Sequence, residues 1–163
     1  MGFQSTINLA MGFGVVGEIY LDGPTRAQPG IVKGATPALI VVGSAYTIDT
    51  ADGQFTPGGT GVFGGIMINP KTLSSNGTAA GGALAPTITV PVGSVAEFVT
   101  STPGVIVALA NAATIGQGVF FTNATGALSA GTAGGGQTQI AGAQVVRYSN
   151  VAAGLAVISL TGA

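Results

Sequence analysis

The stretch Leu155-Ala156-Val157-Ile158-Ser159-Leu160 is apolar on both faces when it is read with the two-residue period of a β-strand. Both faces of a second stretch are also mainly apolar: Val95-Ala96-Glu97-Phe98-Val99-Thr100, in which Glu97 is the only charged residue. Strands with one solvated face alternate strictly between apolar and polar residues, whereas covered strands do not. Both stretches therefore indicate strands that lie inside a barrel or are covered on both sides.

The rest of the chain continues this all-β pattern. Valine and isoleucine together number 29 and leucine only 9, which favours pleated sheet over helix. Short apolar runs are separated by Gly, Pro and Asn. The only helical candidate, Ala108–Thr114, is long enough for a short connector at most. The predicted strands are Val15–Leu21, Ala38–Val42, Tyr46–Ile48, Val62–Ile68, Thr87–Val90, Val95–Thr100, Val105–Leu109, Gly118–Thr122, Ala143–Tyr148 and Leu155–Leu160.

Turn residues lie between these runs. Asn123-Ala124-Thr125-Gly126 predicts a hairpin loop with a glycine at a positive φ, and Asp52-Gly53 and Asn76-Gly77 are further turn signals. Asp49-Thr50-Ala51-Asp52-Gly53 has two carboxylates at a spacing that suggests calcium. A calcium loop requires a later bidentate acid, and the next acid is Glu97. We therefore expect a turn that the two carboxylates cap, and no metal site.

The composition excludes several classes of function. Only four basic and five acidic residues are present, the net charge is −1, and the chain contains no His, Cys or Trp. Four scattered cations cannot neutralise a nucleic-acid backbone. The commonest general base and the thiolate nucleophile are missing. The start lacks a signal-peptide pattern, and the uncharged apolar runs are shorter than the roughly 20 residues that span a bilayer. We expect no nucleic acid, membrane or cofactor partner.

Local motifs do not point to an enzyme either. Gly12–Gly17 and Gly59–Gly64 both match G-x-G-x-x-G, but strand-like sequence follows them where a dinucleotide fold has a helix. With 29 glycines in the chain, such matches arise by chance. Glu97, alone in an apolar strand, is expected to form an ion pair within the chain or across an interface, with Arg147 as one candidate partner. We predict no catalytic residue and no enzymatic activity.

The chain is divided unevenly into three parts. We predict that residues 1–37 form an extended N-terminal arm with one strand. Residues 38–86 are predicted to form short strands followed by a long Gly/Ala/Thr-rich loop at 69–86. Residues 87–163 predict a compact β-barrel within a single structural unit. The overall prediction is an all-β fold, a short-strand barrel or sandwich. The expected core of the barrel includes Val95 or Phe98, Ile106, Val119 or Phe120, Val145, and Leu155 or Ile158.

The low charge also bears on partners. A soluble monomer normally has a charged surface, and a net charge near zero promotes association. Only 6% of the residues are charged, so we expect partner molecules to cover much of the surface.

Two parts of the chain resemble tailed-phage capsid decoration proteins, also called structural cement proteins. The first is Gly14–Pro29, a Gly-rich start that leads to a Pro-Thr-Arg-Ala turn. The second is the C-terminal half. Its matching pieces, in order, are Gly116–Phe121, Thr125–Leu128, Ile140–Ala143 and Ala153–Leu160. The order and spacing of these stretches, together with the near-absence of charge, carry the resemblance.

The resemblance implies a non-enzymatic virion protein on the outer surface of the phage head. It would be a homo-oligomer, a dimer or trimer, that clamps neighbouring subunits of the major capsid protein. Two other interpretations stay open. One is a ligand-binding β-module, such as a carbohydrate-binding or adhesive domain, with Phe120-Phe121 and Tyr148 as aromatic candidates. The other is a self-polymerising shell or fibre subunit. We expect the arm to contact another chain. The expected partner-contact residues are Ile19, Leu21, Pro24, Arg26 and Pro29.

Overall fold

The structure is a computed structural model that describes residues 14–34, 40–68 and 90–161. These residues form nine β-strands and no helix, so the all-β prediction is confirmed, and no helix among them could cross a membrane. The helical candidate Ala108–Thr114 is wrong, because Ala108 and Leu109 end a strand and turns follow. The strands are β1 Arg26–Ile31, β2 Ala45–Ile48, β3 Phe55–Pro57, β4 Val62–Met67, β5 Val95–Leu109, β6 Gly118–Thr122, β7 Leu128–Ala130, β8 Gln137–Arg147 and β9 Gly154–Thr161.

Five strands close into a small barrel, which we call the C-terminal barrel. β5 pairs with β7, β7 with β6, β6 with β8, β8 with β9, and β9 returns to β5. All these pairings are antiparallel except the short parallel contact between Leu109 and Leu128. Closure leaves the barrel without free sheet edges.

Buried side chains fill the C-terminal barrel. Val119, Val145 and Ile158 belong to its core, as predicted. Ile106 is also buried, but Val105 and Val107 on either side of it face the core, so Ile106 lies on the outer wall. Val95 is exposed and Phe98 belongs to a different core. The remaining large members of the barrel core include Leu109, Phe121, Leu128, Ile140 and Leu160.

The other strands form a second ring, which we call the N-terminal ring. β1 pairs with β5, β5 with β4, β4 with β2, and β2 with β3. A single bridge between Val32 and Phe55 joins β3 back to the end of β1. The buried hydroxyl of Tyr46 accepts a hydrogen bond from the Val41 N–H (3.1 Å) and lies 3.3 Å from the Val41 carbonyl, to which it donates. The core of this ring contains Val32, Ile40, Val42, Tyr46, Phe55, Met67, Val90, Ala96 and Phe98.

Strand β5 belongs to both rings and changes its inward face along its length. In its N-terminal half Ala96 and Phe98 face the core of the N-terminal ring. From Val99 onward the opposite face is buried, and Val105 and Val107 belong to the core of the C-terminal barrel. On the other face of this stretch Val99 belongs to the barrel core, but Val95 and Glu97 are exposed, so the prediction that the strand is covered on both sides is wrong for its first residues.

The two rings also meet at a joint between the end of β3 and the β6–β7 hairpin loop. The Gly59 N–H donates to the Asn123 carbonyl (2.7 Å), and the Ala45 N–H donates to the Gly126 carbonyl (2.9 Å). A Cβ on Gly58 would lie 2.6 Å from the Asn123 oxygen. Gly58 and Gly126 both have positive φ values, 64° and 74°. The predicted hairpin loop is confirmed, and glycine is required here for backbone to meet backbone.

Some predicted strands differ from those observed. Val15–Leu21 contains only an isolated bridge at Ile19, and the strand of the arm is β1 instead. Val95–Thr100 and Val105–Leu109 are one continuous strand. Ala38–Val42 and Thr87–Val90 lie partly outside the described residues, and their described parts, 40–42 and 90, are not in a strand. The Asn76-Gly77 turn and the predicted loop at 69–86 lie wholly outside the described residues.

Candidate interaction surface

The five predicted contact residues lie on one segment of the chain, Ile19–Ile31, which we call the contact run. This segment lies along one edge of β5 and is antiparallel to it. Near its start the run forms a bridge with Val105, and at its end Ile31 lies opposite Val95. Its outward side is exposed for most of its length, although the run packs against its own chain. Contact with another chain therefore stays a prediction. The five residues are Ile19, Leu21, Pro24, Arg26 and Pro29; all are exposed except Leu21, which is half-buried.

Residues 14–21, which we call the strap, cover the outer wall of the C-terminal barrel. The Gly17 N–H donates to the Ile106 carbonyl (2.8 Å), and the Ile106 N–H donates to the Glu18 carbonyl (2.9 Å). Leu21 and Val157 both lie against Gly104, which has no side chain to separate them. The strap thus removes the outward-facing Ile106 and Val157 from water.

Pro29 interrupts the outer hydrogen-bonding edge of β1. The Val32 N–H donates to the Ser94 carbonyl, so the N–H groups of Gly30 and Gln28 also face β5, because residues two apart in a strand share an orientation. The nitrogen of Pro29 consequently faces away from β5. Proline is tolerated at such an unpaired edge, and it discourages the addition of a further strand. The arm therefore presents exposed side chains beside a strand edge that lacks one donor, at Pro29.

Sequence reasoning missed the apolar residues that extend this surface onto the neighbouring strand. Ile31 and Val95 are cross-strand partners, and Val95 is 63% exposed. Glu97 lies opposite Pro29 on the same exposed face. The two-residue alternation of β5 contained this signal, since Val95 and Glu97 share a face.

The charges of this region remain open to a partner. Among the described residues the only ion pairs join Lys33 to Asp49 and Asp52. Glu97 and Arg147 are both exposed and do not pair with each other within the chain, so the intrachain form of the expected ion pair with Arg147 is wrong, and an ion pair across an interface stays a prediction. Arg26 likewise has no ion pair with a described residue.

The one ion-pair cluster in the described part of the chain lies at the predicted Asp49–Gly53 turn. The Lys33 ammonium is 2.6 Å from Asp49 and 2.7 Å from Asp52. Its hydrogen bonds to these carboxylates raise the pKa of Lys33 to about 12, and the same bonds lower the pKa values of both aspartates. The carboxylates also accept hydrogen bonds from the backbone N–H groups of Ala51 and Gln54. The capped turn is confirmed.

The aromatic residues named as ligand-binding candidates do not form an exposed platform. Phe120 and Phe121 are buried, so two of the three candidates are in the barrel. The third, Tyr148, is exposed and hydrogen-bonded to Tyr20, with 2.6 Å between the hydroxyl oxygens. Gly59–Gly64 leads into strand β4, so this glycine motif is not a dinucleotide site.

The chain is similar to known proteins both in sequence and in fold. The family model described as "Structural cement protein (E217 gp24/Pam3 gp6)" matches residues 3–161. A chain of the solved structure "The capsid of Myoviridae Phage XM1" is similar in fold, with a TM-score of 0.69 and 15% sequence identity. The match covers 99% of this chain and 98% of that one. No curated protein matches the chain.

Proposed function

The chain belongs to the structural cement protein family, and from this premise we propose that it binds the outer surface of an assembled phage head and clamps neighbouring major capsid subunits. As a member of this family it is a structural protein of the virion capsid. The clamping role is supported above all by one observation. A single run of chain, from Ile19 to Ile31, presents exposed side chains and is paired with β5 at both of its ends.

Apolar burial is the proposed source of affinity. The exposed surface of the run contains Ile19, Pro24, Pro29 and Ile31, together with Val95 from β5. Burial contributes roughly 25 cal/mol per Å², or about 25 kcal/mol gross for an interface of about 1,000 Å². Association itself costs about 4–15 kcal/mol, so only part of this gross free energy remains as affinity. Arg26, at the start of β1, is the proposed anchor for a carboxylate on the shell.

We further propose that the protein acts as a homo-oligomer, a dimer or trimer. An oligomer with several contact runs binds several capsid subunits at once, and each bound run raises the effective concentration of the others. Weak single contacts then add up to stable attachment. The low net charge of −1 supports association over dispersion in water.

A non-enzymatic role is part of the proposal and is supported by the environment of the carboxylates. Catalysis by paired acids requires two carboxylates that flank a substrate. Asp49 and Asp52 are instead bound to Lys33 and to backbone N–H groups. This arrangement stabilises a turn and leaves neither acid available as a general base.

Reconstitution on empty shells tests the proposal. Shells that lack this protein are prepared from the phage that encodes it, mixed with the purified chain, and examined by sedimentation and cryo-electron microscopy. We expect saturable binding to the outer surface at positions that contact two or more capsid subunits, and an increase in the temperature at which shells rupture. Absence of binding, or binding without any change in rupture temperature, would contradict the clamping role.

A further inference from the structure

The last residue of β8 and the loop after it, residues 147–151, are mostly exposed but held in a fixed conformation. The Asn150 N–H donates to the Ala113 carbonyl (2.8 Å), and the Ala113 N–H donates to the Asn150 carbonyl (2.9 Å). The Asn150 side-chain amide also donates to the Leu155 carbonyl (2.8 Å). A loop fixed by three hydrogen bonds loses little conformational entropy when a partner binds to it. We call residues 147–151 the docking loop.

Tyr148 in this loop adopts a conformation that is unusual for its residue type. Its φ is +63°, the only positive value for a non-glycine residue in the described part of the chain. Left-handed backbone at a non-glycine residue is strained, and such strain tends to concentrate at functional sites. The ring packs edge-on against Tyr20, with centroids 5.9 Å apart, and the two hydroxyl oxygens are 2.6 Å apart. The strained backbone therefore holds the exposed Tyr148 ring against the half-buried Tyr20 ring in one place.

Two further side chains of the loop face solvent. Arg147 is exposed and has no ion pair with a described residue, and Val151 is fully exposed. Tyr and Arg are the residues that contribute most often to binding hot spots. The guanidinium group of an arginine matches the two oxygens of a carboxylate. The loop thus combines a cation, one aromatic ring that packs on Tyr20 of the strap, and an apolar tip on a fixed backbone.

The charges of the chain favour an occupant other than a second copy of itself. Asp49 and Asp52 are bound to Lys33, and a carboxylate oxygen of Glu18 accepts a hydrogen bond from the Val15 N–H. The other two acids, Asp22 and Glu97, lie in and opposite the run Ile19–Ile31, which the proposed function assigns to the capsid, so they are not available to the arginine of another copy. An acidic segment of a different protein is the better complement.

We propose that the docking loop, together with Tyr20, is a second capsid-contact surface that receives an acidic segment of a major capsid subunit. A carboxylate of that segment binds Arg147, and its apolar side chains pack on the tyrosine pair and on Val151. This inference rests on the proposed function and deepens it. Because Tyr20 lies within the run Ile19–Ile31 and contacts Tyr148, the two surfaces are contiguous, so one protein molecule contacts the shell over both.

Binding to empty shells, measured as an isotherm, tests this second surface. We expect Arg147→Gln to weaken binding to shells about tenfold or more. The affinity of Arg147→Lys should lie between those of Arg147→Gln and the wild type, because lysine restores the charge without the planar guanidinium group. Tyr148→Gly relieves the strained backbone while it removes the ring. This variant should keep its thermal stability or gain some, yet bind shells more weakly.

A matched pair of valines provides the control. Val151→Ser should weaken binding, whereas Val62→Ser, at an exposed valine outside both proposed surfaces, should bind as the wild type does. Wild-type affinity for both Arg147→Gln and Val151→Ser would overturn the inference and leave the proposed function standing. If these variants change the oligomeric state in solution but not shell binding, the loop is a self-interface and the inference is wrong. Failure of the wild type to bind shells would contradict the proposed function itself.

Discussion

The aromatic ring of Phe55 lies flat on that of Phe98, with centroids 4.1 Å apart and planes inclined by 12°. The two residues come from β3 and β5, which are not hydrogen-bonded neighbours, so the stack crosses the interior of the N-terminal ring. Tyr46 also packs against Phe98, with ring centroids 5.0 Å apart. Gly30 of β1 leaves the space that the Phe55 ring occupies. A small ring of strands is thus filled chiefly by three aromatic side chains.

Removal of one member of this stack should destabilise the protein strongly. Phe98→Ala should lower the free energy of unfolding by about 3–5 kcal/mol, because the residue is fully buried and the rigid ring of strands cannot collapse around the cavity. Val95→Ala, three residues earlier in β5 and 63% exposed, should change it by less than about 0.5 kcal/mol. Guanidinium titrations of the two variants measure both values. Equal losses would show that the aromatic core is not what stabilises this ring.

The joint between the two rings should tolerate no side chain. Gly58→Ala combines a left-handed backbone with a Cβ placed 2.6 Å from the Asn123 oxygen. Gly53 has a similar φ of 72° but nothing within 4 Å of its Cβ position. Gly53→Ala should therefore cost only about 1 kcal/mol of backbone strain, and Gly58→Ala should lower the melting temperature distinctly further. Similar melting temperatures for the two variants would contradict close packing at the joint.

The Lys33 cluster predicts how stability depends on pH. The pKa values of Asp49 and Asp52 are lowered in the folded protein. Their contribution to the free energy of unfolding is therefore complete above about pH 4, the usual pKa of an unfolded aspartate, and it is lost as the pH falls through the lowered values. The pKa of Lys33 is raised to about 12 in the folded protein. Its contribution to the free energy of unfolding is therefore complete below about pH 10, and it is lost as the pH rises through about 12. The melting temperature should decline at both extremes, and Lys33→Met should reduce both declines. If the variant and the wild type have parallel profiles, the cluster does not contribute.

The contact run can be tested by substitution at exposed side chains. Deletion is unsuitable, because residues 26–30 form most of β1 and residues 14–21 cover the barrel wall. Arg26→Gln and Ile19→Ser should keep the wild-type melting temperature within a few degrees and weaken shell binding severalfold. Val62→Ser again serves as the exposed control. Unchanged shell occupancy for Arg26→Gln and Ile19→Ser would show that the run packs only within its own chain.

Attachment should resist salt. Exposed ion pairs contribute about 0–1 kcal/mol each and are screened within about 8–10 Å near physiological ionic strength. With nine charged residues in the whole chain, few such pairs can form, so apolar burial contributes more free energy to attachment than charge does. Decorated shells should keep this protein in molar sodium chloride and lose it in guanidinium or on heating. Release by sodium chloride alone, with the shell intact, would show that charges hold it in place.

The strands that the sequence predicts best are those with a clear period of two. The predicted Gly118–Thr122 has the observed bounds of β6, and Leu155–Leu160 differs from β9 by one residue at each end. Side-chain alternation is a local signal and needs no partner strand to be visible. The compact C-terminal barrel and part of its core follow from this signal.

Other elements depend on contacts between distant parts of the chain. The segment Arg26-Ala27-Gln28-Pro29-Gly30-Ile31 has the composition of a turn and forms a strand because β5 pairs with it. Pro103-Gly104 suggests a break in β5, but the register shifts there in a bulge that accommodates the proline. The docking loop could not be predicted, because neither its hydrogen bonds to Ala113 nor the strain at Tyr148 has a sequence signature.

The sharing of β5 has a consequence for how the molecule folds and unfolds. Neither ring can open without releasing a strand that the other one needs, so the described part of the chain should melt in a single cooperative transition, with equal calorimetric and van't Hoff enthalpies. Most partners of β5 are far from it in sequence: Arg26 pairs with Ser101, and Ser101 with Thr161. Such a high contact order predicts folding in milliseconds to seconds rather than microseconds. The pairing of β5 with its distant partners therefore limits the rate at which newly synthesised chains fold and become able to assemble.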